Sequence, residues 1–370
     1  MKQYNKQKIC HFTSVHGRYD IRIFHKECVS LSKKYDVMLI VADGKGNEVK
    51  DGINIIDVGI DNSRLARIKK TPKRIYKILK DSDYSVYHFH DPELLPIAKK
   101  LIKRGKKVVY DVHEDVPRQI LAKYWIPKFL RKLTSYIFEK YENKIARNLS
   151  YIVTATPFIR DRFLKNNPNT IDINNFPIIN EFKTINTSTE KEKAICYIGG
   201  ITKIRGIKNI VKAIDNCDCI LYLAGEFDND GLKEELKELA GWNQVKELGW
   251  INRDEVKLIA EKSVAGLVTF LPVPNHLDAL PNKLFEYMSA GLPVIASDFK
   301  LWREIIEKHN CGICVDPENI NEISNAINKL LDDKEMARIL GENGRKAVET
   351  VYNWNIEENK LYMCYNVILS

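Results

Sequence analysis

Short apolar runs return along this chain at regular intervals, with longer amphipathic stretches between them. In the first half they are Lys8–Phe12, Val37–Ala42, Ile53–Val58, Val86–His90, Lys107–Val112 and Tyr151–Ala155. Runs of strand length alternating with helix-length segments read as βαβ units, which build parallel sheets covered on both faces. The polar stretch Lys183–Lys193 interrupts the rhythm, and a second series follows: Ala194–Ile198, Cys219–Leu223, Val245–Leu248, Val264–Thr269, Pro293–Ala296 and Gly312–Val315. At 370 residues the chain also exceeds the reach of a single hydrophobic core. The expectation is therefore an α/β protein with one domain over residues 1–182 and a second over 183–350. A terminal helix over 351–370, read from the apolar spacing in Thr350–Tyr365, is expected to pack across both. Doubly wound sheets bind ligands beyond the C-terminal ends of their strands, so chemistry is sought in the strand-to-helix loops.

Composition removes several classes. Hydrophobic residues at 44% and charged residues at 29% exclude a disordered chain. The polar N-terminus lacks a signal-peptide core, and no apolar run reaches the roughly 18 residues of a membrane span, so a cytoplasmic protein is expected. Eight scattered cysteines, among them Cys10, Cys196 and Cys219 inside apolar runs, suit buried thiols better than a disulfide framework. Cys311-Gly-Ile-Cys314 has no second pair to complete a zinc site and reads as the start of a short strand. The net charge of +9 gathers in the first half, around Lys69–Lys80 and Lys99–Lys107. Such faces suit a phosphate-bearing ligand or an anionic bilayer, or are simply solvated. Nucleic acid is not expected as a partner, because no binding module is recognisable.

The most informative stretch is Leu271–Asp298, which reads loop, helix, tight Gly-Leu-Pro turn, strand. Pro281 fits the first helical position, leaving the amides of Asn282 and Lys283 as orphan donors that Leu280 has no side-chain oxygen to cap. A diphosphate would satisfy those donors and the helix dipole together. Glu286, one turn along, is spaced to accept from ribose hydroxyls; the alternative is a solvated face opposite Leu284, Phe285 and Met288. In Thr13–Arg22, Gly17 would let a ligand approach the backbone, while His16, Asp20 and Arg22 either flank that approach or form a local salt-bridged turn. Strand alternation puts His88 and His90 on one side, where His113 and Glu114 could complete a metal site or the histidines could be ordinary core. No metal is the preferred reading.

Taken together, Asp278–Glu286 with Tyr287–Ser297 after it, Tyr197–Gly206, Leu221–Glu226, Tyr110–Glu114 and Tyr352–Trp354 resemble the retaining glycosyltransferases of family GT4 over nearly the whole chain. The resemblance implies the GT-B architecture: two facing Rossmann-like domains, the first for acceptor and the second for a nucleotide sugar, with the C-terminal helix crossing back. It implies Glu286 on the nucleotide ribose and Asp278, one methylene shorter than the family's glutamate, facing the sugar ring. Arg205 falls where the family has a phosphate-binding lysine, and Gly200 where it has an arginine. His113 matches a histidine near the transferred sugar. The implied catalytic set is thus His113, Asp278 and Arg205, and the implied donor set is Gly17, Gly200, Arg205, Leu280, Asn282, Lys283 and Glu286.

The implied reaction moves a sugar, without cofactor or metal, from a nucleotide-diphosphate donor, by family weight uridine-linked. Asp228-Asn-Asp230 looks like the metal motif of the other main glycosyltransferase fold but reads better as a turn and N-cap. The mixed segment Leu121–Leu133, with Trp125, Ile126, Phe129 and Leu130 among lysines and arginines, suits an anionic membrane surface or a helix packed on its own domain. It suggests a saccharide or polyprenyl-diphosphate-linked acceptor in surface-polysaccharide assembly, reached from the cytoplasmic face. The departures at Gly200 and Asp278 leave two alternatives: a non-catalytic scaffold of this fold, and a nucleotide-sugar epimerase of the same architecture.

Overall fold

The structure is a computed structural model that describes residues 6–123, 126–182 and 191–370. The chain divides into two compact units, one of Met1–Asn175 with Ile356–Ser370 and one of Phe176–Asn355. The division thus falls earlier than the expected 182/183, because Phe176 and Phe182 are buried in the core of the second unit, where Phe176 meets Phe285 edge-on. Residues 183–190 of the polar stretch, and Trp125 of the mixed segment, lie outside the described residues.

In the first unit an eight-stranded sheet runs β3-β4-β2-β1-β5-β6-β7-β8. Its strands are β1 (Lys8–Phe12), β2 (Asp36–Val41), β3 (Glu48–Lys50), β4 (Ile53–Asp57), β5 (Val86–Phe89), β6 (Val108–Val112), β7 (Tyr151–Thr154) and β8 (Thr170–Asp172). All pairings are parallel except β3 with β4. Every residue of β5 and β6 is buried, the near-continuous apolar reading of strands covered on both faces. Phe89 and Tyr110 stack at 4.4 Å across that pair. The two short edge strands β3 and β8 carry too few apolar residues to be read from sequence.

The second unit holds an all-parallel six-stranded sheet, β11-β10-β9-β12-β13-β14. Here β9 is Ala194–Ile198, β10 Ile220–Ala224, β11 Val245–Gly249, β12 Ala265–Val268, β13 Val294–Ser297 and β14 Gly312–Val315. The order reverses between β9 and β12, and in the first sheet between β1 and β5. Ligands of doubly wound sheets bind at such reversals. Asn229 caps the helix Asp230–Lys237 through the Leu232 amide, so the acidic triplet at 228–230 is the expected turn and cap. The terminal helix runs Trp354–Leu369, and its residues from Ile356 on belong to the first unit. No helix among the described residues is long and apolar enough to cross a membrane.

Candidate active site

In the second unit, three segments meet at the sheet's reversal. The first is Gly199-Gly200, directly after β9. A Cβ on Gly199 would lie 3.3 Å from Lys283 Nζ, and a Cβ on Gly200 would lie 2.9 Å from Arg205 Nη1. The bare backbone is what lets two basic side chains from other elements come close. Arg205 ends the single turn Lys203–Arg205 and donates to the Gly200 carbonyl at 3.1 Å, an oxygen that also accepts from Tyr197 Oη at 2.9 Å. The turn stops at Gly206, whose φ of 76° is left-handed and whose Cβ would sit 1.9 Å from the Thr269 carbonyl. Only glycine fits there. Lys203 is exposed.

The second segment is the loop 278–281. Trp302 Nε1 donates to the Ala279 carbonyl at 2.7 Å and pins it. Asp278 is exposed at the end of the short helix Pro274–Leu277, and the partly buried Leu280 side chain packs on the core. Pro281 is the N-cap residue of the helix Asn282–Ser289 rather than its first helical residue, and no side chain caps that end. Its φ of −70° and ψ of 130° explain the shift, since proline's ring fixes φ but leaves ψ free to be extended. The helix is held to β9 by the Ile198 amide, which donates to Tyr287 Oη at 2.8 Å.

The third segment is the helix face behind that end. Lys283 is buried, with Nζ 3.7 Å from the Tyr197 ring centroid and 5.3 Å from that of Phe270, and without a hydrogen-bond acceptor. Burial, then the neighbouring Arg205 charge, push its pKa well below the ordinary lysine value. Glu286 is half-buried and accepts from Arg253 Nη1 at 3.0 Å, while Arg253 Nε donates to Glu181 at 2.5 Å. Sequence reasoning passed over Arg253; its one signal was a basic residue right after Asn252, whose side chain forms a capping box with Glu255.

In the first unit the expected histidines do converge, on a partner the sequence did not single out. Asp111 is fully buried in β6, and the Arg22 guanidinium grips it with bonds of 2.6 and 2.8 Å. Arg22 is thus no member of a local turn. Asp20 instead accepts from the Arg22 and Ile23 amides, capping the π-helical Ile21–Cys28, and His16 lies 3.1 Å from Asp20. His90 Nδ1 and His113 Nε2 lie 3.0 and 2.7 Å from the same Asp111 oxygen, so each must donate there.

That fixes a one-way chain. Burial lowers the pKa of His11, His88 and His90, so each is neutral with a single N–H. With His90 Nδ1 donating to Asp111, its Nε2 accepts from His11 Nδ1 at 3.0 Å. His11 Nε2 then accepts from Tyr365 Oη at 3.1 Å, and Tyr365 Oη accepts from His88 Nδ1 at 2.8 Å. His88 Nε2 is left without a partner. Glu27, beside Arg22 and Asp111, is pushed well up by burial and by Asp111, while Asp111 is held well down: burial opposes its charge, but Arg22 and His113 outweigh it. Two carboxyls around one guanidinium keep one charge and one proton. Two sets could offer metal ligands, His11, Glu27, His88 and His90, and His90, Asp111 and His113. Neither includes Glu114, and the chain already engages the His11–His90 pair. Gly17 stands in this unit with nothing within 4 Å of its Cβ position.

Comparison with known proteins fits this geometry. Residues 22–173 match the family model described as Glycosyltransferase Family 4, and residues 178–347 match Glycosyl transferases group 1. The chain belongs to the family 4 glycosyltransferases. Among curated relatives, a glycosyltransferase of Methanocaldococcus jannaschii is 25% identical over 303 residues, covering 76% of this chain and 73% of its own. The fold of the glycosyltransferase is that of solved GT-B enzymes. Sucrose-phosphate synthase of Thermosynechococcus elongatus superposes with a TM-score of 0.77 at 18% identity, with 98% of each chain covered. HepE of Anabaena, determined in complex with UDP and glucose, gives 0.73 at 16% identity, over 97% of this chain and 99% of its own.

Proposed function

We propose that this glycosyltransferase moves a hexose from a uridine-diphosphate sugar, with retention at the anomeric carbon, to a saccharide or polyprenyl-diphosphate-linked acceptor in cell-surface polysaccharide assembly. The observation that carries the donor half is the convergence of the Gly199-Gly200 backbone, Arg205 and the uncapped start of the helix Asn282–Ser289 at the sheet reversal. Backbone donors and a guanidinium on one spot suit a diphosphate. The likeness to a protein determined with UDP and glucose supports uridine as the carrier.

In this reading Glu286 accepts from the ribose hydroxyls, with Arg253 fixing its carboxylate, and the Asn282 amide and side chain bind phosphate. Asp278 orients the sugar ring. The bond from the anomeric carbon to the phosphate oxygen breaks as the acceptor oxygen attacks on the same face, and the departing phosphate takes the acceptor's proton. Negative charge grows on that phosphate, and Arg205 and the helix start stabilise it without metal. His113, whose Nε2–H is committed to Asp111, presents Nδ1 to the hydroxyls of sugar or acceptor.

The helix Lys128–Ala146 supports a membrane-linked acceptor. It leaves Phe129, Leu133, Tyr136 and Ile137 more than half exposed, among Lys128, Arg131, Lys132 and Lys140. A thermal-shift panel of nucleotide sugars tests the donor reading, since a ligand that binds only the folded state raises Tm. A UDP-sugar is expected to give the largest shift and Glu286→Ala to abolish it. A shift unchanged in that variant removes the ribose assignment.

A further inference from the structure

Lys283 and Arg205 present an unusual pair. They reach the same two glycines from different elements, one from the helix Asn282–Ser289 and one from the turn Lys203–Arg205. Neither forms an ion pair with a carboxylate among the described residues. The charged group nearest in sequence, Glu286, is already engaged by Arg253. Lys283 Nζ is buried and unpartnered, resting on the ring of Tyr197, with Phe270 further out and the Cys196 thiol and Arg205 as its other titratable or charged neighbours. A buried amine with no acceptor and a cation beside it has little to hold a charge in place. An arriving dianion changes both terms at once.

We propose that Lys283 is the second cation of the donor diphosphate site, brought in from the helix because the loop carries Gly200, and that it takes up a proton as the diphosphate binds. The inference rests on the donor-site reading above. It follows that the two glycines are a built cradle: a side chain at Gly199 would crowd Lys283 and one at Gly200 would push Arg205 aside, so the loop stays bare and the cations come from outside it. Burial lowers the lysine's pKa, and the two phosphate charges raise it when they arrive. Exposed Lys203 would bring a charge from solvent without that proton step.

The test is calorimetric titration of the purified protein with UDP near pH 8, where the terminal phosphate, with a second pKa of about 6, is already ionised. Two buffers of unequal ionisation enthalpy report the protons taken up. Wild-type protein is expected to take up protons on binding UDP, and none on adding uridine. Lys283→Met is expected to bind UDP about 10–100-fold more weakly, without proton uptake, and to melt no lower than wild type, because it removes a buried amine that has no partner. Lys203→Ala is expected to behave as wild type. UDP binding without proton uptake, unaltered affinity in Lys283→Met, or a marked fall in that variant's Tm each overturns the inference alone. Failure of UDP, GDP and ADP all to bind wild-type protein overturns the donor-site reading and takes this inference with it.

Discussion

Arg253 holds Glu286 by a 3.0 Å bond from Nη1 while its Nε grips Glu181 at 2.5 Å, so the carboxylate assigned to the ribose is fixed before any ligand arrives. One Glu286 oxygen is engaged and the other remains free to accept. Arg253→Met keeps the stem and removes both bonds. Since a hydrogen bond to a charged group is worth about 1.5–3 kcal/mol, a loss in this range or below is expected, weakening UDP by up to roughly 150-fold. Titration calorimetry reads it. Equal affinity in the variant would show that Arg253 does not position Glu286 for the nucleotide.

Gly200→Ala probes the other side of the same site. The added methyl would meet Arg205 Nη1 at 2.9 Å, the far end of a flexible side chain, so the fold can yield by moving the guanidinium. Stability is expected to change little, by less than about 1 kcal/mol, while UDP affinity falls several-fold because Arg205 loses its place. Restoring the family's arginine by Gly200→Arg is expected to weaken donor binding for the same reason. Tighter binding by that variant would refute the cradle.

These relationships mark how far the sequence could be read. The twelve strands of the two series, the uncapped helix start and the Asn229 cap follow from local pattern, because apolar alternation, proline and capping residues act within a few positions. The Arg22–Asp111 pair spans 89 positions and joins a helix to a strand, and Tyr365 reaches His11 across 354. Such contacts are made by topology, so a sequence shows the residues but not their partners. Arg22 accordingly read either as flanking a ligand's approach or as part of a local turn, and Tyr365 as one more apolar position of the terminal helix. The metal grouping weighed as an alternative, His88, His90, His113 and Glu114, differs from the sets the fold assembles on the same ground: strand alternation placed the histidines, but it could not reveal that Asp111 and His11, not Glu114, join them.

Stability should fall on mild acidification. His11, His88 and His90 have folded pKa values below the ordinary 6.5, so between those values and 6.5 the unfolded chain binds more protons than the folded one. Stability is then fully present above about pH 6.5 and is lost as pH falls, each such histidine contributing up to about 1.4 kcal/mol per pH unit. His16 and Glu27 act oppositely: Asp20 and Asp91 raise the His16 pKa against burial, and burial with Asp111 raises that of Glu27, so both gain stability as pH falls and offset part of the loss from the three histidines. Urea midpoints at pH 7.5 and 5.5 should differ clearly, and His88→Asn should reduce the difference. An equal difference in His88→Asn and wild type would mean that His88 is not held neutral by burial.

The helix Lys128–Ala146 carries the last prediction. Phe129 is 82% exposed, and Leu133, Tyr136 and Ile137 follow it at helical spacing with 54%, 60% and 58% exposed. An apolar stripe left open on one helix and flanked by cations suits the headgroup boundary of an anionic bilayer, where buried area and charge attraction add. Sedimentation with vesicles of phosphatidylglycerol and phosphatidylcholine should pull down the wild-type protein, more weakly as salt rises. Phe129→Ser with Leu133→Ser should reduce binding about tenfold or more, since each fully buried side chain of this size contributes about 1.5–3 kcal/mol. The double variant should leave UDP binding unaltered, because Arg205, Arg253, Asn282, Lys283 and Glu286 all belong to the other unit. Vesicle binding that survives the double variant but vanishes with salt would assign the attraction to the basic helices alone and remove the stripe from the membrane contact.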